Sequence, residues 1–128
     1  MSKLLIRAAL AGVAFCAAAA LADAGAPANV GQTAKGAALV DAKGMSLYTF
    51  DKDPDGKSAC NGPCAAAWPP LPAPSGSSAS GDWTIVKRDD GSTQWAYKGK
   101  ALYTFVKDAK PGDASGYGFK DAWHVAKP

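Results

Sequence analysis

The sequence predicts an all-β fold: a small antiparallel β domain built from two tandem related units that share one aromatic core. Three observations carry that prediction. Leu-Tyr-Thr-Phe occurs twice, at 47–50 and 102–105, and each copy consists largely of strand-favouring residues. Runs of alternating apolar and polar residues are short and end in Gly, Pro, Asp or Ser. Beyond residue 24 no stretch sustains the 3.6-residue apolar period of a helix, so at most one short helical turn, Cys64 to Trp68, is expected.

Residues 1–24 read as a signal peptide. Lys3 and Arg7 form a basic head, Ala8 to Ala22 run apolar without a charge, and Ala22-Asp23-Ala24 supplies an A-x-A cleavage site. That apolar run is shorter than the roughly 20 residues a membrane-spanning helix needs. Cleavage after Ala24 leaves Gly25 to Pro128 without a transmembrane segment and puts the product in the periplasm or outside the cell, in association with the envelope. Cys16 falls within the signal. The bulky Phe15 before it is unsuited to lipoprotein processing, so the mature chain is expected to carry no lipid. Cys60 and Cys64 then remain as an even pair in an oxidising compartment, which predicts a structural disulfide.

The duplication extends well past the tetrapeptide. A shift of 55 residues pairs Gly36, Lys43 and Gly44 with Gly91, Lys98 and Gly99. It pairs Leu47-Tyr48-Thr49-Phe50 with Leu102-Tyr103-Thr104-Phe105, and Lys52-Asp53 with Lys107-Asp108. Ala59, Ala67 and Trp68 meet Ala114, Ala122 and Trp123. These twelve identities need no gap, a strong sign of an internal repeat. The expected layout is a flexible lead-in at 25–35, unit 1 at 36–74, a Ser/Gly linker at 75–81 and unit 2 at 82–128. Each unit alone is too small to bury a core, so the two form one domain.

Within each unit the elements follow in order. Lys43-Gly44 and Lys98-Gly99 supply the glycine of a tight reversal. In the strands that follow, Tyr and Phe share one face while Leu and Thr take the other. Trp83-Thr84-Ile85-Val86 and Thr93-Gln94-Trp95-Ala96-Tyr97 flank Asp89-Asp90-Gly91 as a hairpin. Pro69 to Pro74 form extended polyproline-like chain, and Ser75 to Gly81 a flexible connection. At least three of the four Trp are expected in the core.

Tyr48-Thr49-Phe50-Asp51-Lys52-Asp53 and Tyr103-Thr104-Phe105-Val106-Lys107-Asp108 both fit a Y-x-(F/W/Y)-x-x-D motif. With Cys60, Cys64, Trp68-Pro69-Pro70-Leu71 and Trp123, the chain from about residue 34 to its end resembles a bacterial family of secreted-repeat proteins described as predicted lipoproteins with that motif. The resemblance implies export and leaves the biochemical role open. This chain departs from the lipoprotein description at Cys16, and its second copy has Ser115 and Phe119 where the first has Cys60 and Cys64. Physically, Tyr48, Phe50, Tyr103 and Phe105 read as core rings, alike in both copies. Asp53 and Asp108 read as carboxylates accepting turn amides.

Several function classes fall away. A net charge of +3 with scattered Lys and Arg offers no basic stripe for a nucleic acid. All 11 acidic residues are Asp, which favours turns and caps over helix interiors. Cys60 and Cys64 are separated by three residues, which is not a thioredoxin spacing, and C-x-x-C-H for haem is absent. With the cysteines oxidised, His124 and Met45 are too few for copper or zinc. There is no G-x-S-x-G elbow, and nothing in the spacing selects an acid pair for glycoside chemistry.

Asp51-Lys52-Asp53-Pro54-Asp55-Gly56 opens like a calcium loop, with Asp51, Asp53 and Asp55 as alternating oxygen donors. Its closing position is Gly62 rather than a bidentate carboxylate, and Asp108 or Asp113 would have to complete a site. The expected role is a non-catalytic interaction or binding module with an unidentified protein or small-molecule ligand. The alternative is a calcium- or other metal-binding periplasmic protein.

Overall fold

The computed structural model describes residues 27–128; the signal segment, Cys16 and the cleavage site lie outside the described residues. Seven strands form three small antiparallel sheets. The first pairs β1 (Asn29–Thr33) with β2 (Gly36–Val40), and the second pairs β3 (Tyr48–Phe50) with β7 (Trp123–Val125). The third orders β4 (Trp83–Lys87), β5 (Thr93–Tyr97) and β6 (Lys100–Ala101). The helical content is α1 (Pro63–Ala67) in unit 1 and a 3-10 turn, Phe119–Asp121, at the equivalent place in unit 2. No helix among the described residues is long and apolar enough to cross a membrane.

The predicted hairpin is present as β4 and β5, with Thr84 opposite Ala96 and Lys87 opposite Thr93. Gly44 and Gly99 sit at φ 84° and 85°, the left-handed region their turns require. Residues 29–33 correct the expected layout: inside the stretch assigned to a flexible lead-in, they form β1. Asn-Val-Gly-Gln-Thr carries little apolar signal of its own. The ladder to β2 holds it, with Val30 opposite Leu39 and Gln32 opposite Ala37. The polyproline stretch also serves as strand-like chain, since Pro70 bridges Tyr103 and Pro72 bridges Gln94.

Tyr48 and Tyr103 lie back to back at the centre. The Tyr48 N–H donates to the Tyr103 carbonyl at 2.7 Å, and the Tyr103 N–H returns a bond to the Tyr48 carbonyl at 3.0 Å. These residues are each other's counterparts in the repeat, so the pair marks an approximate twofold axis between the units. Each unit then lends its tail to the other. Tyr48 pairs with Val125, and its counterpart Tyr103 pairs with Pro70. Leu71 donates to Leu102, and its counterpart Ala126 donates to Leu47. Neither unit closes without the other's last strand.

β3 and the segment 102–105 bury both faces; against the expectation of a second motif strand, 102–105 forms no ladder of its own and is joined to β3 and to Pro70 by single bridges at Tyr103. Tyr48, Tyr103 and Phe105 join Trp68 and Trp123 in an aromatic cluster, with Phe50 packed against it. Leu47 and Leu102 turn the other way into a cluster with Leu39, Leu71 and Ala126. Trp83 and Trp95 are half-buried on that second cluster, so two Trp rather than three occupy the interior. Both lie on the β4–β5 hairpin of the third sheet, where their rings meet edge-on at 6.2 Å.

Candidate functional site

The aromatic cluster is a stacked column of four rings. Phe50 lies on Trp123 at 4.3 Å, Trp123 on Trp68 at 3.8 Å with planes 2° apart, and Trp68 on Phe105 at 4.0 Å. Tyr48 and Tyr103 meet Trp68 and Trp123 edge-on, at 5.3 and 5.1 Å. Edge-to-face pairs such as these two Tyr–Trp contacts add about 0.5–1.5 kcal/mol each beyond area burial. Alternation in the two strands directs the Tyr and Phe rings to one face, and the exchanged tails bring the two Trp between them.

The motif aspartates are tied across the axis. The Tyr48 hydroxyl donates to Asp108 Oδ2 at 2.7 Å, and the Tyr103 hydroxyl donates to Asp53 Oδ2 at 2.6 Å. Each Asp also takes amides of its own loop, Asp53 from Ala59 and Asp108 from Ser115. The correspondence therefore slips by one residue here, and the Ala59/Ala114 identity does not mark equivalent positions. Reading the aspartates as turn acceptors anticipates the amides and misses the tyrosines, because a 55-residue shift says nothing about which copy a side chain crosses to. Burial, then the bond to Asp108, holds the Tyr48 phenol well above its ordinary range; burial and Asp53 do the same for Tyr103. Burial also raises the Asp53 carboxyl, opposed by its bonds from Tyr103 and Ala59 and by the charge of Arg88.

Arg88 is a structural residue that sequence reasoning missed. It is 5% exposed, and its guanidinium donates to Ser58 Oγ, Gln94 Oε1 and the Cys60 carbonyl at 2.9, 2.8 and 2.6 Å. Ser58 in turn contacts the Tyr103 hydroxyl at 2.6 Å. A chain of bonds thus runs from Arg88 through Ser58 and Tyr103 to Asp53. A single Arg in a polar hairpin loop reads as solvated, and no local signal marks it as buried. Cys60 and Cys64 are joined by the expected disulfide.

The three carboxylates of the calcium-like run do not converge. Asp53 turns inward to Tyr103. Asp51 lies 2.8 Å from His124 Nε2 at the surface, and Asp55 is 3.4 Å from Lys100 Nζ. Asp108 is taken by Tyr48 and Ser115, and Asp113 by Lys110 and its own loop amides. Among the described residues no three His, Cys, Asp or Glu side chains gather at a point. Here Gly56 at φ 72° serves the turn, and the three aspartates take separate partners.

Beside the column opens a cleft of about 460 Å³, lined by Phe50, Lys52, Pro63, Cys64, Ala67, Trp68, Phe119, Lys120, Ala122 and Trp123. Trp68 and Trp123 are each 3% exposed and show the cleft little more than an edge, whereas Phe119 is 41% exposed. A smaller hollow of about 220 Å³, between Thr49, Leu102 and three lysines, contains none of the column's rings.

The cleft straddles the twofold axis, since Ala67 and Ala122 are counterparts, as are Trp68 and Trp123, and Cys64 and Phe119. It is nevertheless one-sided. Phe119 packs against Trp68 and Phe105 at 5.8 and 6.0 Å, tilted 58° and 48°, and flanks that half of the column. At the other end Cys64, small and tied to Cys60, leaves Phe50 only partly buried.

No curated protein and no solved structure matches the chain. A family model does, twice, over residues 29–72 and 84–127, the same two halves that exchange their tails across the Tyr48–Tyr103 pair. The chain belongs to the family described as a secreted repeat of unknown function.

Proposed function

We propose that this protein is an exported, non-catalytic interaction module that binds its ligand in the cleft between its two units. The observation that carries the reading is the unequal flanks of the aromatic column, with Phe119 beside Trp68 and Phe105 in one half and Phe50 left partly open in the other. A concave site of a few hundred cubic ångströms with aromatic walls and a few polar groups is the usual form of a small-ligand site. The tyrosine–aspartate pairs are saturated by partners inside the protein, which suits a structural role better than proton exchange with a substrate. His124, the one imidazole, has exposed Asp51 as its hydrogen-bond partner, an arrangement without the aligned nucleophile that covalent catalysis uses.

The test is a screen of aromatic fragments against nitrogen-labelled protein, followed through the four indole N–H signals. Ligands of the cleft move the signals of Trp68 and Trp123 and leave those of Trp83 and Trp95 in place. Fragments that move only Trp83 and Trp95, or none of the four, overturn the reading.

A further inference from the structure

We propose that the cleft selects a planar aromatic acid, a flat ring system bearing a carboxylate or sulfonate. This rests on the binding reading above and adds the ligand's shape and charge. Shape comes from the column. The partly buried Phe50 continues a stack whose rings lie 3.8–4.3 Å apart, and Phe119 stands out from the opposite rim. A flat ring entering the cleft lies between aromatic surfaces, with Phe50 parallel to the stack and Phe119 tilted to it by 48° and 58°, and covers more of them than a branched aliphatic group would.

Charge comes from the rim. Lys52 and Lys120 are the only ionisable side chains lining the cleft apart from the disulfide cysteine, and no carboxylate lines it. Both are exposed, and neither is in an ion pair among the described residues. Lys52 comes from unit 1 and Lys120 from unit 2, so they approach from opposite sides of the axis. Their counterparts are Lys107 and Ala65, and so the repeat itself does not require a lysine at 120.

The turn that presents Lys120 is a costly one. Lys120 and Asp121 sit at φ 52° and 56°, directly after Gly118 at φ 78° and Phe119. Residues other than glycine adopt this region at a conformational cost, and such strain collects where a side chain is being aimed at something. Here it sets the ammonium of Lys120 5.6 Å from the centre of the Phe119 ring, at the mouth of the cleft. An anionic group there would meet two cations while its ring lies on Phe50.

Three isosteric probes separate the two layers of the proposal: 2-naphthoate, the neutral 2-naphthamide and the cationic 2-naphthylmethylammonium. Binding is read by calorimetry and by the indole signals of Trp68 and Trp123. The carboxylate is expected to bind about tenfold tighter than the amide, and the ammonium weakest, in line with two charge-assisted contacts at a partly desolvated rim. Lys52→Gln and Lys120→Gln are exposed changes that spare the fold. Each should remove part of the carboxylate preference, and together they should equalise carboxylate and amide.

A Cys60→Ala/Cys64→Phe variant copies Phe119 onto the open end. It should abolish binding of all three probes, while Cys60→Ala/Cys64→Ala retains it. If carboxylate and amide bind alike in the parent, or the lysine changes leave the preference intact, the acid-selective inference fails while the cleft reading stands. If no probe moves Trp68 or Trp123 in the parent, both fail.

Discussion

The loop from Asp53 to Trp68 and the loop from Asp108 to Trp123 start at equivalent aspartates and deliver equivalent tryptophans over equal lengths, yet different chemistry holds them. The first is stapled by Cys60–Cys64 and anchored from the other unit by Arg88, which donates to the Cys60 carbonyl. The second has no covalent link. Ser115 doubles the bond to Asp108 with its hydroxyl, Gly116 donates to the Tyr48 hydroxyl, and Gly118 donates to the Trp123 carbonyl at 2.7 Å. At the axis, the Tyr pair and the stacked Trp pair remain alike because each copy contacts the other and neither can change alone. Away from the axis that constraint lapses. One loop carries the small Cys64 and leaves Phe50 partly open, and the other carries Phe119 beside Trp68 and Phe105.

The largest expected effect tests that difference directly. Equal copies would make Phe50→Ala and Phe105→Ala equally damaging. Phe105 is 6% exposed, stacked on Trp68 and flanked by Phe119, so its truncation should cost roughly 3–5 kcal/mol, the usual range for a buried Phe. Phe50, stacked on one side only and partly open, should cost less than half of that. Urea unfolding of the two variants decides it. Equal losses would mean that both ends of the column are closed in solution.

Gly116 sharpens the comparison from the packing side. A Cβ there would lie 2.5 Å from Trp68 Cη2, 2.8 Å from Cζ3 and 3.0 Å from Phe105 Cδ2, so the second loop passes the column with no room for a side chain. Gly116→Ala should cost about 1–3 kcal/mol through overpacking and should loosen the stack. Thermal melting with near-ultraviolet circular dichroism reads both. An unchanged spectrum would show that the loop stands off from Trp68.

How much of this was legible beforehand differs by region. The first motif strand β3, the β4–β5 hairpin, the glycine turns and the disulfide follow from local pattern, because each is fixed by residues a few positions apart. β1 was not legible, since a polar edge strand is specified by its partner and Asn29–Thr33 carry almost no alternation of their own. The crossed Tyr–Asp bonds were out of reach for a related reason. The repeat shows that Tyr48 and Asp53 recur together, and the fold decides that Tyr48 serves Asp108. Arg88 and the cleft depend on which loops pack together across the two units, which no spacing records.

The staple should be worth less than the rings. Closing so short a loop contributes about 2 kcal/mol by chain entropy, so reduction of Cys60–Cys64 should lower the melting temperature and leave the fold intact. Arg88 makes the effect conditional. With its bonds to Cys60 and Asn61 the loop is already held, and in an Arg88→Gln background reduction should cost more than in the parent. A double-mutant cycle of melts measures the coupling. Strict additivity would show that Arg88 and the disulfide restrain separate parts of the loop.

A smaller difference should separate the two aspartates. Asn can keep only one acceptor, and losing a partner for a buried donor costs about 1–3 kcal/mol. In unit 1 the loss can be relayed, because Ser58 and Tyr103 can exchange donor and acceptor roles at their 2.6 Å contact. In unit 2 the Tyr48 hydroxyl already receives the Gly116 N–H and has no such partner. Asp108→Asn should therefore cost more than Asp53→Asn. The Asp53 penalty should also depend on pH. Burial raises the Asp53 carboxyl in the folded state, so the native protein holds that proton more tightly than the unfolded chain. Its contribution is full below the ordinary carboxylate range and declines as pH rises through the raised value. The parent's advantage over Asp53→Asn should be greatest in acid and shrink toward neutrality. Guanidinium titrations across that window check the sign, and an advantage that grows with pH would contradict it.

The smallest expected effect concerns the surface flanking the axis, where the copies differ most in charge. Asp51 contacts His124 at 2.8 Å with both side chains well exposed, while the corresponding residues of the other copy are Val106 and Pro69. An exposed pair of this kind contributes about 0–1 kcal/mol, and salt screens it. Asp51→Val would make the two sides alike. β3 and β7 stay paired through their backbones, with Thr49 opposite His124 and Phe50 opposite Trp123, and the Asp51 N–H still donates to the Ala122 carbonyl. The melting temperature should therefore hardly move, and that small change should vanish at high salt. A loss as large as that of Phe50→Ala would place Asp51 within the stabilising core of the repeat, contrary to its exposure. It would also mean that the asymmetry at the axis is electrostatic as well as steric.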